Sequence, residues 1–371
     1  MNIHAIEFGP DYVRAIAPYV GGRPIAEVAR EFGLDPAKII KLASNENPMG
    51  MPISARNAIQ AAIGELARYP DSNGFDLKQV LAEKFAIPKT WITLGNGSND
   101  ILELAARACV QPGQSVVFSQ YAFAVYSLAT QAVGGVANIV PAKDYGHDLV
   151  AMLSAIDSHT RLIYLANPNN PTGTWLAADA LKTFLLQVPS HIVVVLDEAY
   201  TEYLSEAQRY DAIAWVSQFP NLLISRTFSK AYGLAGLRIG FGVAQPTLTD
   251  LLNRIRQPFN VNSLAQAAAM AALADGDFLK RAAQLNTQGY AQLTAAFTAM
   301  GIDYVPSAGN FILLKVGEDD NAGARVSLAL LKLGIIVRPV ASYGLPQHIR
   351  VSIGLPEENM AFLDAFRQVL S

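Results

Sequence analysis

Val193-Val194-Val195-Leu196-Asp197-Glu198-Ala199-Tyr200 is an apolar run that stops abruptly at two carboxylates and a tyrosine. A run apolar toward both faces predicts a strand covered on both sides, as in a parallel sheet flanked by helices. An acid at the carboxyl end of such a strand stands where open α/β sheets meet their ligands. Read alone, Asp197 is equally an N-cap aspartate with an incidental tyrosine nearby. Outward from this stretch, residues 115–118, 162–165, 222–225 and 239–243 share the doubly apolar character, and helix-like segments such as 101–110 and 177–187 separate them. The alternation predicts an α/β sandwich with a mostly parallel central sheet between helices.

The C-terminal third follows another order. Residues 263–274 and 277–300 predict two long helices ahead of strands at 311–316, 335–338 and 349–353. A last helix, 357–370, starts behind Pro356, a residue suited to an early helical position. This order predicts a smaller α+β domain. The expected division is a large domain over residues 41–255, with residues 1–40 as an N-terminal arm packed on a small domain of residues 256–371.

Composition removes several function classes. With 51% hydrophobic residues, a formal net charge of −3 and no basic tract, the chain can bury a large core and has no nucleic-acid footprint. A single cysteine, Cys109, rules out an intrachain disulfide, fits a reducing compartment and reads as a buried core thiol. Residues 1–7 have neither a basic nor an apolar signal region, and the most apolar segment, 264–274, is too short to span a bilayer. A soluble cytoplasmic protein without a membrane partner is the expectation. The histidines are scattered with no ligand spacing, so no metal site is expected. Neither a Walker A sequence nor a Gly-x-Ser-x-Gly elbow is present.

Three further segments carry chemistry. Ser225-Arg226-Thr227-Phe228-Ser229-Lys230 runs from an apolar strand into a hydroxyl-rich turn ending in lysine. Such a turn can hold a phosphate and offer an amine for a Schiff base, and Arg238 adds a guanidinium. Read alone, Lys230 is a solvated lysine and Arg238 a surface ion pair. Asn167-Pro168-Asn169-Asn170-Pro171-Thr172-Gly173 follows another strand, and its prolines and glycine make a turn that poises Asn170 at the sheet edge. Leu94-Gly95-Asn96-Gly97-Ser98-Asn99-Asp100 opens a helix, and backbone N–H groups there attract phosphate. The third glycine of a dinucleotide fingerprint is missing from it, Asp100 standing in its place.

In this order, phosphate turn, Asn-Pro-Thr-Gly, Asp-x-x-Tyr, then Ser-Lys and an arginine, the four segments resemble the fold-type I pyridoxal 5'-phosphate (PLP) enzymes. The resemblance covers nearly the whole chain and is closest to histidinol-phosphate aminotransferases. It rests further on Ala17-Pro18-Tyr19, Leu42-Ala43-Ser44-Asn45-Glu46-Asn47-Pro48, Arg68-Tyr69-Pro70, Tyr121-Ala122-Phe123, Val337-Arg338-Pro339 and His348-Ile349-Arg350-Val351-Ser352-Ile353-Gly354.

The resemblance implies that Lys230 bonds the cofactor, that Asp197 pairs with its pyridine nitrogen, and that Asn170 and Tyr200 reach its phenolic oxygen. Ser98, Asn99, Thr227, Ser229 and Arg238 form the implied phosphate cup. Phe123, or in its stead Tyr121, stacks on the ring. Tyr69 is implied to reach the phosphate in the neighbouring subunit, hence a homodimer with shared sites. Tyr19, Asn45, Arg338 and Arg350 are implied substrate contacts, Arg350 gripping the carboxylate of 2-oxoglutarate or glutamate. The implied reaction converts L-histidinol phosphate and 2-oxoglutarate to imidazole acetol phosphate and glutamate, in histidine biosynthesis. An aromatic amino-acid aminotransferase shares every cofactor residue, and a threonine-phosphate decarboxylase shares the fold. A PLP-binding transcription regulator would need an appended helix-turn-helix, for which the first 40 residues are too few.

Overall fold

The computed structural model describes residues 8–370; the expectation of no signal sequence in residues 1–7 lies outside the described residues. The strands are β1 (Ile40–Lys41), β2 (Ile92–Gly95), β3 (Ser115–Ser119), β4 (Val136–Val140), β5 (Thr160–Ala166), β6 (Val193–Asp197), β7 (Leu222–Thr227), β8 (Gly240–Val243), β9 (Tyr304–Val305), β10 (Phe311–Lys315), β11 (Ile335–Ile336), β12 (Arg338–Pro339) and β13 (His348–Ser352). Seven of them form one sheet in the order β2-β8-β7-β6-β5-β3-β4. From β4 to β7 neighbours are parallel, whereas β8 is antiparallel to both β7 and β2.

Both faces of this sheet are covered, which is why its central strands read as continuous apolar runs. Alternation sends Val194 and Leu196 into a core shared with helices Ile53–Ala62, Phe75–Phe85 and Ala178–Gln187. Val195 points into the opposite core, with helices Ser98–Cys109, Ala124–Ala132 and Pro246–Ile255. The doubly apolar pattern does not select β2 and β4. They are the sheet's edges, and β4 leaves Val136 and Ile139 exposed.

A second sheet, β12-β13-β10-β9, is antiparallel. Leu314, Ile349 and Val351 pack there with Phe297 of helix Gly276–Ala299 and with Phe362 and Phe366 of helix Pro356–Leu370. Nearby, β1 pairs in parallel with β11, and Val28, Ala29 and Ile39 pack on Leu331 and Ile336.

Three expectations need correction. The packing does not divide at 255/256: helix Ser263–Ala274 buries Ala265, Ala268, Ala269, Ala272 and Leu273 in the core of the large sheet. Its small alanines let it lie close on helix Ile53–Ala62, where Ala55 is likewise fully buried. Not all of the first 40 residues lie on the small sheet, since Tyr12 abuts Gly134, next to helix Ala124–Ala132 of the large layer. The strand expected over 335–338 is two short strands with different partners. The chain changes partner at Val337, so that β11 pairs with β1 while β12 pairs with β13.

Candidate active site

The carboxyl ends of β6 and β7 and the amino end of helix Ser98–Cys109 open on one cavity of about 240 Å³. Asp197, the last residue of β6, is buried there. Its Oδ2 accepts from Tyr126 Oη at 2.8 Å, whereas its Oδ1 is buried with no protein partner. Burial pushes its carboxyl up to about 6, with the Tyr126 hydroxyl and the Ala199 N–H acting against the rise. Behind it Glu198 Oε2 accepts from Arg226 Nε at 2.8 Å, an ion pair that ties the ends of β6 and β7.

Lys230 follows β7, and its Nζ donates to Ser44 O at 2.9 Å. Burial, then the Arg350 cation, push this amine down to about 7. Tyr200 is buried beside it, and its hydroxyl accepts from Asn45 Nδ2 at 2.9 Å. Burial pushes that hydroxyl up to about 12, so Tyr200 stays a neutral donor at ordinary pH.

Helix Ser98–Cys109 starts behind Gly97, whose φ is +80°. A Cβ at Gly97 would lie 2.2 Å from Arg238 Nη2, and one at Gly240 would lie 2.5 Å from the Ser98 backbone nitrogen. Both glycines are therefore needed for Arg238 and β8 to close around the helix start. Arg238 Nη1 donates to Ser229 Oγ at 3.3 Å, and the Ser229 N–H donates to Thr227 Oγ1 at 3.1 Å. Helix N–H groups, two hydroxyls and a guanidinium converge here, a set that could hold a phosphate. The free Asp197 Oδ1 deeper in the cavity could take an N–H. Together they fit a ring that carries a protonated nitrogen and a phosphate.

On the opposite wall β12 and β13 place Arg338 directly across from Arg350. Arg350 is buried, donating to Asn170 Oδ1 and, at 2.8 Å, to Ala43 O. Arg338 Nη2 donates to Val20 O at 2.7 Å, and its guanidinium lies over the Tyr19 ring at 5.5 Å. Like charges in directly opposed positions repel, and both line the cavity.

The cavity thus gathers Tyr19, Asn45, Ser98, Asn99, Phe123, Asn170, Asp197, Tyr200, Thr227, Ser229, Lys230, Arg238, Arg338 and Arg350. Of the two candidate ring-stacking residues Phe123 lines it, while Tyr121 stacks on Tyr145 at 5.9 Å outside it. Tyr69 is the residue not brought in: it is 82% exposed and stacks on Phe259 at 4.6 Å. Sequence reasoning missed Tyr126, Glu46, Ser44 and Tyr343 as lining residues. Glu46 and Ser44 sit inside a stretch already singled out. The signal for Tyr126 is weaker, its position one helical turn beyond Phe123.

The aminotransferase class I and II family model matches residues 37–365. The chain belongs to this family. It is similar, at 68% identity over 99% of its length and 98% of the relative's, to histidinol-phosphate aminotransferase 2 of Ralstonia nicotianae. Histidinol-phosphate aminotransferase 1 of Cupriavidus pinatubonensis is 66% identical, over 98% of this chain and 97% of that one. Among solved structures, that of histidinol-phosphate aminotransferase from Sinorhizobium meliloti in complex with pyridoxal 5'-phosphate matches with a TM-score of 0.91 at 31% identity, covering 99% of this chain and 98% of that chain. Among the described residues no helix is long and apolar enough to cross a membrane, and no cluster of ligand side chains could hold a metal ion.

Proposed function

We propose that this protein is a pyridoxal phosphate-dependent histidinol-phosphate aminotransferase, passing the amino group of L-histidinol phosphate to 2-oxoglutarate in histidine biosynthesis. The observation that carries the substrate class is Arg338 opposed to Arg350 on the wall facing Lys230. Two arginines on opposed strand positions beside one cavity suit anionic ligands, and the substrates supply them: a phosphate on histidinol phosphate and two carboxylates on 2-oxoglutarate. The relatives at 68% and 66% identity, both histidinol-phosphate aminotransferases, support the same choice over the aromatic and decarboxylase readings. A steady-state comparison of histidinol phosphate with tyrosine and phenylalanine, coupled to glutamate formation, tests it. Preference for either amino acid, or release of carbon dioxide from threonine phosphate, would overturn it.

The roles divide by element. Ser98, Asn99, Thr227, Ser229 and Arg238 would hold the phosphate of the cofactor, Asp197 would pair with its ring nitrogen, Phe123 would cover the ring, and Asn170 and Tyr200 would hold its phenolic oxygen. Bound pyridoxal phosphate supplies a carbonyl for the substrate amine and a ring that accepts an electron pair. Lys230, its amine pushed down far enough to be partly uncharged near neutral pH, takes the proton from the amine-bearing carbon of the substrate. Tyr19, Asn45, Arg338 and Arg350 orient the substrate.

Arg338→Ala is expected to lower kcat/KM for histidinol phosphate by about 1.5–3 kcal/mol of transition-state binding, the size of a hydrogen bond to a charged group. The half-reaction of glutamate should suffer less, because Arg350 serves the carboxylate. Measuring both half-reactions decides the point. A loss confined to glutamate removes Arg338 from the phosphate.

The functional unit is a homodimer with shared sites. Tyr69, Phe75, Ile63, Leu66 and Phe259 leave large apolar surface exposed on one stretch of the fold, as an interface requires. Tyr69 is then free to reach the partner's phosphate cup. Tyr69→Phe is expected to weaken cofactor retention. Mixing Tyr69→Phe chains with Lys230→Ala chains should restore one good site per mixed dimer. No recovery after verified subunit exchange would mean that each site is built from one chain.

A further inference from the structure

Tyr126 is fully buried on helix Ala124–Ala132, and its hydroxyl makes the 2.8 Å bond to Asp197 Oδ2. Its ring lies flat on Tyr164, centroids 4.5 Å apart and planes 4° from parallel. Phe123 stands edge-on against the same ring, at 6.0 Å and 89°. Tyr164 is itself anchored, its hydroxyl donating to Leu102 O at 2.7 Å. The ring of Tyr126 is thus clamped on two sides, and its hydroxyl has one acceptor to serve.

We propose that Tyr126 is a positioning residue for the reaction: it holds Asp197 as a carboxylate with one oxygen turned to the cofactor nitrogen, and it props Phe123 against the cofactor ring. The proposal rests on the pyridoxal phosphate reading of the cavity. The torsion that turns a carboxylate about its last bond is broad and two-fold, so packing alone leaves the orientation of Asp197 loosely set. Beside the backbone N–H of Ala199, the one side-chain donor, Tyr126 Oη on Oδ2, selects it and leaves Oδ1 without a protein partner. Burial disfavours the charged form of this carboxyl, and a donated hydrogen bond favours it. Other ionisable groups face Asp197 from every side: Tyr164 from β5, Glu198 and Tyr200 next to it in the chain, and Lys230 beyond β7. Among the described residues Tyr126 is the side chain that donates a hydrogen bond to it.

The test uses Tyr126→Phe, which keeps both ring contacts and removes the donor. Pyridoxal phosphate affinity of the apoprotein and kcat/KM of the loaded enzyme are each measured against pH. Without the donor Asp197 is more easily protonated, so its pairing with the ring nitrogen is lost at higher pH. The acid limb of both profiles should move up by about one unit, and affinity at neutral pH should fall about ten-fold. Tyr164→Phe, which leaves the bond to Asp197 intact, should keep the parental profiles. In an Asp197→Asn background Tyr126→Phe should weaken cofactor binding no further. Unmoved acid limbs in Tyr126→Phe, or an undiminished second loss in the Asp197→Asn background, overturn the proposal and leave Tyr126 a packing residue. Parental affinity and turnover in Asp197→Asn alone would instead overturn the cofactor reading, and the proposal with it.

Discussion

Lys230→Ala is expected to leave a folded protein with no measurable turnover. The amine of Lys230 is buried and pushed down to about 7, so a large fraction is uncharged near neutral pH and its lone pair is available. No other lysine lines the cavity among the described residues. Removing a positioned general base costs about 10²–10⁴-fold on its own, and the proposed covalent hold on the cofactor would disappear with it. The fold should survive, because the side chain is tied by a single hydrogen bond, to Ser44 O at 2.9 Å. The purified variant should lack the visible band of a lysine-bound cofactor while still retaining pyridoxal phosphate noncovalently. In the apoprotein of the parent, covalent capture should quicken as pH rises through about 7 and then level off, since protonated lysine is no nucleophile. Near-parental activity in Lys230→Ala would sink the central assignment.

Asp197→Ala is expected to lower turnover by at least ~100-fold, the scale on which losing one preorganised electrostatic group is felt. In the proposed role the carboxylate would pair with the ring nitrogen of the cofactor, and such a pairing counts for more in the transition state than in the resting enzyme. Stability should change little, because relief of the buried carboxyl is offset by a Tyr126 hydroxyl left without its acceptor. The carboxyl is deeply buried, its burial disfavours the charge, and one of its oxygens has no protein partner. Thermal melts of the apoproteins and kcat at saturating cofactor separate the two effects. Equal rates in variant and parent would remove Asp197 from the chemistry.

Much of this was legible because local chemistry is written locally. Val193–Asp197 is apolar on both faces and ends in an acid, so strand and ligand end followed from a few residues, and the parallel neighbours announced themselves in the same way. The helix start at Ser98 and the hydroxyl-rich turn before Lys230 are likewise short-range features. By contrast, strand Val136–Val140 is apolar at four of its five positions, yet it is an edge that leaves Val136 and Ile139 exposed, and its sequence alone does not say so. An alanine-rich helix, Ser263–Ala274, gives no sign of which core it will enter.

By itself, then, the sequence determined the alternating α/β core and the local settings of Lys230, Asp197 and the helix start at Ser98, each set by neighbours within a few positions. Only the tertiary structure decided that Arg338 faces Arg350, that Phe123 rather than Tyr121 borders the cavity, that Tyr126 grips Asp197, and that Tyr69 stands away from its own site. Those relations join residues far apart in the chain, from 12 positions for Arg338 and Arg350 to 71 for Tyr126 and Asp197. Strand register and helix placement set them, and both are products of collective packing that no local pattern encodes.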